Sequence, residues 1–273
     1  KGQNTQPVGE WLKDHRRDEL IITSKCFARV GDPVNSAGLS RTHILSAIDD
    51  SLLRMQTDYI DLYMAHAFDP LVPIEESLRA FEDAARYGKI RYFGVSNWAA
   101  WQISKAIGLA RINSYLPIIS DELRYNLIFR RPESEIFPLC ESEGLGVIAY
   151  NPLAGGLLTG RYHANAIAAE RSRFDVSVGG ELYHQRYWNN AVFRAVTDYT
   201  SWCNEWNVNP VTTAVQWVVT QKPISCVLIG ASRVHQLDAS LAASSVPAMQ
   251  SEMVEKLDTL WYSLPRYRGE NLH

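Results

Sequence analysis

Several segments place polar side chains directly after short runs of apolar residues. Lys25 follows "ELIITS", His66 follows "YIDLYMA", and the pair Ser96–Asn97 follows "IRYFGV". If these runs are parallel strands of a barrel, their carboxyl ends meet at the face where α/β barrels carry out chemistry. A lysine and a histidine at that face can direct positive charge and a hydrogen bond at a carbonyl oxygen. The spacing therefore predicts a polar site built from strand ends.

Three later segments extend the same pattern. Each strand-end residue has an ordinary explanation when taken alone, because single lysines at strand ends are commonly solvated and single histidines are commonly structural. Convergence of polar groups on several successive strand ends favours a functional site. The later candidates are Ser120 to Glu122, Tyr150 to Leu153 and Gly230 to Arg233.

Apolar strands alternate with amphipathic helices along the chain. Strands that are hydrophobic on both faces, separated by helices at roughly thirty-residue intervals, indicate a parallel sheet covered by helices. The first strand is expected to bury Leu20, Ile21 and Ile22 and to end at Lys25, and a helix over 6–15 is expected to precede it. The other predicted strands are 59–67, 90–97, 116–120, 145–153 and 225–230. The other predicted helices are 40–55, 73–88, 99–110, 133–144, 191–207, 210–222, 233–244 and 250–264.

The pattern gives six strand–helix units, whereas a (β/α)8 TIM barrel needs eight. Either the sheet is open, or the first one to two β-strands of a barrel lie ahead of Lys1. We predict the second arrangement, an α/β chain that forms a single barrel domain over 1–273, incomplete at its N-terminus. The segment between 154 and 190 is long for a loop inside a domain and is typical of a binding loop.

Charge and composition exclude several classes of protein. The formal net charge is −3, and the basic residues are interspersed with acidic ones, so a nucleic-acid interface is not expected. The apolar runs are too short to span a membrane. Cys26, Cys140, Cys203 and Cys226 form no C-x-x-C pair, which argues against structural zinc or a disulfide framework and favours buried thiols in a reducing, cytoplasmic setting. A small-molecule site without a metal is expected.

Five motifs in register give the chain a family resemblance. The motifs "IITSK", "YIDLYMAHAFDP", "GKIRYFGVSNW", "VIAYNPLAGGLLTGRY" and "VLIGASRVHQL", in this order, resemble the aldo-keto reductases. The resemblance covers essentially the whole chain and is greatest to the branch containing aflatoxin aldehyde reductases and potassium-channel β subunits. It implies NADP(H)-dependent reduction of aldehydes or ketones by hydride transfer, with a tyrosine as proton donor.

The resemblance assigns catalytic roles to two residues. Lys25 matches the lysine and His66 the histidine of the family's Asp, Tyr, Lys and His tetrad; the lysine would lower the pKa of the tyrosine, and the histidine would orient the carbonyl. The family's aspartate and tyrosine normally precede this lysine, and no tyrosine precedes Lys25 here. Two explanations stay open: the sequence is part of a longer chain, which we favour, or a short form has lost the standard mechanism.

The resemblance also implies a cofactor site, beginning with the nicotinamide. Ser96 and Asn97 match the pair that holds the carboxamide, although a polar helix cap would look the same. Glu122 stands where the family usually has glutamine, and an ionised carboxylate cannot donate a hydrogen bond. Tyr150 matches the aromatic residue that stacks on the nicotinamide ring, although such a residue is often only core.

The remaining cofactor contacts lie in loops. The pyrophosphate loop corresponds to Asn151, Pro152, Leu153, Gly155 and their neighbours up to Gly156, over which Arg161 or Arg173 could close. Gly230, Ser232, Arg233 and Gln236 match the motif for the adenosine 2′-phosphate, where an arginine makes a bidentate contact. Ala239 and Ser240 depart from the family's Glu and Asn, so NADP is preferred over NAD with reduced affinity.

Other functions stay open on the sequence. The departures at Glu122, Ala239 and Ser240 and the missing tyrosine fit a catalytically inactive NADP(H)-binding regulatory or sensor protein. A lyase that uses Lys25 as a Schiff-base nucleophile is a third possibility. In the reductase, Phe27, Phe68 and Trp98 either wall the substrate site or pack at the barrel rim.

Overall fold

The computed structural model describes residues 5–163, 172–178 and 180–265. The chain divides into two compact units, the first made of 1–122 with 138–146 and the second of 123–137 with 147–271. The strands are β1 Thr23–Cys26, β2 Ile60–Ala65, β3 Ile90–Ser96, β4 Ile118–Arg124, β5 Gly146–Tyr150 and β6 Ile224–Leu228. The helices are α1 Thr5–Leu12, α2 Arg41–Met55, α3 Ile74–Arg86, α4 Ala100–Asn113, α5 Ile136–Glu143, α6 Glu181–Tyr187, α7 Asn190–Glu205, α8 Pro210–Val219, α9 Val234–Leu241 and α10 Ser251–Ser263.

In the first unit, four parallel strands form a curved sheet. β1 pairs with β2, β2 with β3 and β3 with β4, in the register Lys25 with Met64, Met64 with Gly94, and Gly94 with Ser120. β1 and β4 are thus three strand spacings apart, about 14 Å in a flat sheet. Lys25 Nζ nevertheless lies 2.7 Å from Glu122 Oε2. The sheet therefore curves as part of a barrel wall does, with both side chains on its concave face.

In the first unit, α2 and α3 lie within about two residues of their predicted bounds, whereas α1 ends at Leu12 before the predicted 15 and α4 continues past the predicted 110 to Asn113. The Ser40 side chain caps α2 by accepting a hydrogen bond from the His43 amide at 3.3 Å. Gly88, with a φ of 73°, follows the end of α3, as expected for a residue in the left-handed region. The buried stripe of α3 includes Leu78 and Phe81, which confirms the predicted amphipathic character of this helix.

The first strand differs from the prediction. β1 begins at Thr23, and Ile21, predicted to be buried, is 78% exposed, while Leu20 and Ile22 are only partly buried. Arg17 fixes this approach segment by donating to the carbonyl oxygens of Leu20 and Tyr59 and to Asp61. The apolar run from Leu20 to Ile22 therefore lies ahead of the strand, where hydrogen bonds hold its backbone. Its side chains are not part of the buried core.

Strand β4 is shifted relative to the sequence prediction of 116–120. It runs to Arg124 and so contains Ser120, Asp121 and Glu122, all of which are buried. Charged residues have low intrinsic strand propensity, which is why the pattern placed the strand end before them. Pairing of this segment with β3 overrides that local preference.

The second unit contains β5 and β6, which pair in parallel with Ala149 beside Val227, and helices α6 to α10. Asn189 and Asn209 cap α7 and α8, confirming the predicted helix starts. Arg130 binds Glu133 at 2.7 Å and also binds Asp258, which ties α10 to the segment after β4. Part of the long segment after β5 is ordered by an aromatic cluster that contains Tyr162, Phe174, Tyr183, Trp188 and Phe193.

The cysteines are free, as predicted, but not all are buried. Cys26, Cys140 and Cys203 are buried, whereas Cys226 on β6 is exposed. The prediction failed for Cys226 because β6 is itself half exposed, with Leu228 40% accessible. Among the helices that the structure describes, none has the length and apolar character needed to cross a membrane.

Candidate active site

The end of β1 carries the first element of the site, an ion pair between Lys25 and Glu122. Lys25 is the third of the four residues of β1, and its side chain is 25% exposed. The Glu122 side chain, on β4, is only 6% exposed, and the two charges are 2.7 Å apart. Lys25 is thus held at the strand ends as an ordered ammonium that keeps some access to solvent.

His66 lies beside this ion pair, immediately after β2. Its backbone amide donates to the Cys26 carbonyl oxygen at 3.0 Å, which extends the β1–β2 ladder by one residue. His66 is exposed as a residue, yet the surrounding protein removes part of the hydration of its side chain. This loss of hydration, followed by the charge of Lys25, lowers the pKa of His66, while Glu122 acts in the opposite direction. A neutral imidazole is therefore expected at pH 7.

Ser96 and Asn97 end β3 next to Glu122. Asn97 has a φ of 57°, donates its amide to the Glu122 carbonyl oxygen at 3.0 Å, and donates Nδ2 to Ser96 Oγ at 2.9 Å. Ser96 is fully buried and Asn97 is half buried. Contact of Ser96 with a carboxamide would require neighbouring side chains to move, so its cofactor role stays a prediction.

In the second unit, Tyr150 ends β5, and Asn151 starts the loop that follows. Asn151 has a φ of 62°; its Oδ1 accepts from the Gly155 amide at 2.6 Å, and its Nδ2 donates to Tyr187 Oη at 2.9 Å. Pro152 is buried, while Tyr150 and Leu153 are half buried. The loop is thus held by its own hydrogen bonds, with the Tyr150 ring partly accessible.

Two glycines let this loop turn back on itself. Gly155 and Gly156 have φ values of 71° and 100°, which L side chains rarely adopt. A methyl group on Gly156 would lie 3.3 Å from the Arg161 guanidinium, so Arg161 lies against the loop. Arg161 also donates to Tyr162 Oη at 2.5 Å. Arg161 thus lies against the loop within the second unit, and its contact with a pyrophosphate stays a prediction.

The segment after β6 holds the remaining predicted contacts. Gln236 Oε1 accepts hydrogen bonds from Ser232 N and Ser232 Oγ, both at 3.1 Å. Arg233 is the N-cap residue of α9 and is exposed, and Gly230 has open space around its Cα. An exposed arginine beside a serine and a helix N-terminus is a suitable arrangement for an anion such as a phosphate.

Comparison with known proteins decides the family. A sequence model described as the Aldo/keto reductase family matches residues 1–262. The chain belongs to the aldo/keto reductase family. Its fold class is accordingly the α/β (β/α)8 barrel, in agreement with the curved parallel sheet of the first unit.

The relatives of this aldo/keto reductase include proteins named as a channel subunit, as an oxidoreductase and as an aldehyde reductase. It is 32% identical to "Probable voltage-gated potassium channel subunit beta" of Oryza sativa over 97% of this chain and 81% of that protein. It is 29% identical to "Uncharacterized oxidoreductase YrpG" of Bacillus subtilis, over 93% of this chain and 76% of that protein. It is 31% identical to "Aflatoxin B1 aldehyde reductase member 2" of Mus musculus, over 86% of this chain and 67% of that protein. Family membership makes the protein an oxidoreductase of a class that generally binds a nicotinamide cofactor.

Two buried ionisable groups were given no role by the sequence: Asp121 lay within the candidate range Ser120 to Glu122, and Arg124 was not named. Asp121 is fully buried, and neither carboxyl oxygen has a hydrogen-bond partner within the described ranges. Burial, followed by the nearby charge of Glu122, raises the pKa of Asp121 well above its usual value. Arg124 is 6% exposed, and its guanidinium lies 3.5 Å from the Phe129 ring centre. Polar residues inside a strand were the only sequence signal for either group.

Arg124 has a second arginine near it. The Nε atoms of Arg124 and Arg186 are both buried without a partner in the part of the chain that the structure describes. Burial lowers the pKa of Arg124, and the charge of Arg186 adds to this effect, whereas Tyr187 opposes it. Aromatic faces and a tyrosine hydroxyl thus replace the carboxylate that would usually accompany a buried guanidinium.

The remaining predicted residues have packing roles in this reductase. Phe68 packs edge-on against Trp98 at 5.1 Å and lies 5.9 Å from Trp101, and Trp98 is 3% exposed. Rim packing therefore accounts for Phe68 and Trp98, whereas Phe27 is half buried. Arg173 donates to Tyr183 Oη at 3.2 Å. Within 5–163, 172–178 and 180–265, no cluster of acidic, histidine and cysteine side chains suits a metal ion.

Proposed function

We propose that this protein is an NADP(H)-dependent reductase that converts aldehydes or ketones to alcohols by hydride transfer. The observation that carries the proposal is the placement of Lys25 and His66 at the ends of adjacent strands, held there by Glu122 and by the backbone bond to Cys26. This arrangement directs a cation and a neutral imidazole towards one volume. The name of the mouse aldehyde reductase agrees with this substrate class.

The residues of the chain have separable roles in the proposed reaction. A reduced nicotinamide, when bound, supplies the hydride that adds to the carbonyl carbon. His66 donates a hydrogen bond to the carbonyl oxygen and orients it, and the Lys25 ammonium stabilises the negative charge that develops there. The resemblance assigns protonation of that oxygen to a tyrosine that would precede Lys25.

The resemblance assigns the remaining cofactor contacts to residues that belong to the second unit. Tyr150 offers a partly accessible ring for the nicotinamide, and Asn151 to Gly156 with Arg161 offer a fixed loop for the pyrophosphate. Arg233 and Ser232 would hold the 2′-phosphate, which NADP has and NAD lacks. Arg233 is exposed, and among the described residues no carboxylate pairs with it. Its guanidinium is therefore available to a phosphate group, which supports this role.

We also propose that the protein acts in the cytoplasm on a small-molecule carbonyl substrate, and not on nucleic acid or membranes. The small net charge of −3 supports the first exclusion. Free cysteines on both buried and exposed sites are typical of a reducing compartment.

A direct assay tests the proposed function. NADPH oxidation is followed through its near-ultraviolet absorbance with a panel of aromatic, aliphatic and sugar-derived aldehydes, using protein whose intact mass has been measured so that any residues before Lys1 are counted. We expect turnover that Lys25→Met and His66→Gln each reduce by about a hundredfold or more. Turnover at background with every aldehyde, in protein that contains an upstream tyrosine, would refute the proposal.

A non-catalytic NADP(H) sensor is the second candidate. The observation in its favour is that Glu122 already occupies Lys25, the residue expected to assist proton transfer. Relatives named as potassium channel β subunits are compatible with a regulatory role. Micromolar NADPH binding without turnover, measured by fluorescence titration in protein that contains an upstream tyrosine, would support the sensor and exclude the reductase.

A further inference from the structure

The ion pair between Lys25 and Glu122 is a specific product of the fold. The two residues belong to β1 and β4, with β2 and β3 between them, and they meet only because the sheet is curved. Their Nζ and Oε2 atoms are 2.7 Å apart, the distance of a charge-assisted hydrogen bond. With the Glu122 side chain 6% exposed, solvent competes little for this carboxylate.

The backbone around Glu122 is also fixed. Glu122 pairs in register with Ser96, and its carbonyl oxygen accepts the Asn97 amide at 3.0 Å. The carboxyl group can therefore approach Lys25 from one direction, set by β4.

Glu122 and its neighbour Asp121 are in contrasting environments. Asp121 is fully buried, and no cation contacts its carboxyl group in the described part of the chain. Lys25 contacts only Glu122 of these two acids. The chain thus places one carboxylate opposite the lysine and keeps the other in an apolar layer beside Cys140.

We propose that Glu122 is the positioning residue for Lys25, holding its ammonium at the strand ends where the substrate carbonyl binds. This inference rests on the proposed function for the role of Lys25, and it goes further by giving Glu122 a task other than recognition of the nicotinamide carboxamide. The resemblance assigns that recognition to a glutamine at this position. Among the described residues, Glu122 is the acid that pairs with Lys25, and a glutamine at this position would lack that charge.

The inference makes a signed prediction for His66, which lies close enough to both charges to respond to them. Lys25 lowers the pKa of His66 and Glu122 raises it. Glu122→Gln should therefore lower the pKa of His66, Lys25→Met should raise it, and the double variant should return it near the wild-type value. The single variants test each charge, and the double variant tests whether the two act as a pair.

The measurement is an NMR titration of histidine-labelled protein without cofactor. The chain has seven histidines, so the His66 signal is assigned by its absence from His66→Gln. Glu75→Gln is the matched control, because Glu75 is an exposed glutamate on α3 and should leave the His66 titration unchanged. A His66 pKa that is the same in Glu122→Gln and in wild type would overturn the inference.

Kinetics separate positioning from cofactor recognition. If Glu122 positions Lys25, Glu122→Ala lowers kcat by about tenfold to a hundredfold with little change in the aldehyde KM. Glu122→Gln, which keeps an oxygen that can accept from Lys25, loses less. If Glu122 instead serves the carboxamide, the NADPH dissociation constant changes while kcat does not, and the inference fails. Should the wild-type protein show no turnover, the titration alone still decides the pairing of Glu122 and Lys25.

Discussion

Asp121 shows what burial without a partner does to a single carboxyl group. Its side chain is fully enclosed, and Cys140, whose pKa burial raises to about 12, is close enough to feel its charge. Burial disfavours the charged form, so the pKa of Asp121 lies well above its usual value. At pH values above the pKa that Asp121 has in the unfolded chain, folding therefore takes up a proton at this carboxyl group.

The sign of this shift predicts a pH dependence that Asp121→Asn removes. A folded pKa above the unfolded value of about 3.9 gives a contribution that is complete at low pH and is lost as the pH rises through the folded pKa. Asp121→Asn is neutral throughout, so we expect it to raise the free energy of unfolding at pH 8 by roughly 1–3 kcal/mol relative to wild type.

Urea unfolding at pH 5, 7 and 9 measures this effect. Asp14→Asn is the control, because Asp14 is exposed and should show no pH-dependent difference. Equal stability differences for Asp121→Asn at all three pH values would show that Asp121 is charged in the folded protein.

Two elements of the second unit depend on particular long-range contacts. α10 is joined to the segment after β4 through Arg130, which is 8% exposed and lies 4.9 Å from the Trp217 ring centre. The loop after β5 depends on Gly155, where a methyl group would meet Phe174 and Tyr183 at 2.8 Å. Both contacts join residues that are far apart in sequence.

Removal of the Arg130 charge should loosen α10. Arg130→Met leaves Glu133 and Asp258 without their shared cation, and we expect a loss of about 3 kcal/mol in the free energy of unfolding, with faster amide exchange across α10. Arg111→Met is the matched control, since the Arg111–Glu143 pair is exposed and should cost less than about 1 kcal/mol. Similar losses for the two variants would mean that the Arg130 contacts contribute no more than a surface ion pair.

Gly155→Ala should cost more than its backbone conformation alone explains. Gly88 has a similar φ of 73° but open space around it, so Gly88→Ala reports the backbone strain, about 1 kcal/mol. Gly155→Ala adds the clash with Phe174 and Tyr183, and we expect at least twice that loss together with altered near-ultraviolet circular dichroism. Equal losses would show that the aromatic cluster shifts to accommodate the methyl group.

The chain as a whole is expected to be stabilised by its cofactor. A ligand that binds only the folded state adds about 2.7 kcal/mol at a hundred times its dissociation constant. If Arg233 binds the 2′-phosphate, this stabilisation should differ between NADPH and NADH, because only NADPH carries that group.

Arg233→Ala tests this difference. We expect it to weaken NADPH binding by about tenfold to a hundredfold, to reduce the NADPH-dependent rise in Tm, and to leave NADH binding unchanged. Arg194→Ala, an exposed arginine on α7, is the control and should change neither. An equal loss for both nucleotides would place Arg233 away from the 2′-phosphate.

The sequence alone predicted the order of strands and helices and the strand-end positions of Lys25 and His66. These features depend on local periodicity, on helix caps and on short motifs. Each of these signals lies within a segment of about fifteen residues. The same local rules placed the end of β4 too early and Ile21 in the core, because propensity reports the isolated segment and tertiary pairing overrides it.

Only the tertiary structure decided the partners of the charged groups. Sheet curvature brings Lys25 to Glu122, and helix packing brings Arg130 to Asp258. The same fold leaves Asp121 buried without a hydrogen-bond partner among the described residues. Coulomb interactions depend on distance in space and on local hydration, and neither quantity is a function of separation along the chain. For this reason the sequence predicted the candidate residues of the site, and the fold determined which charges act together.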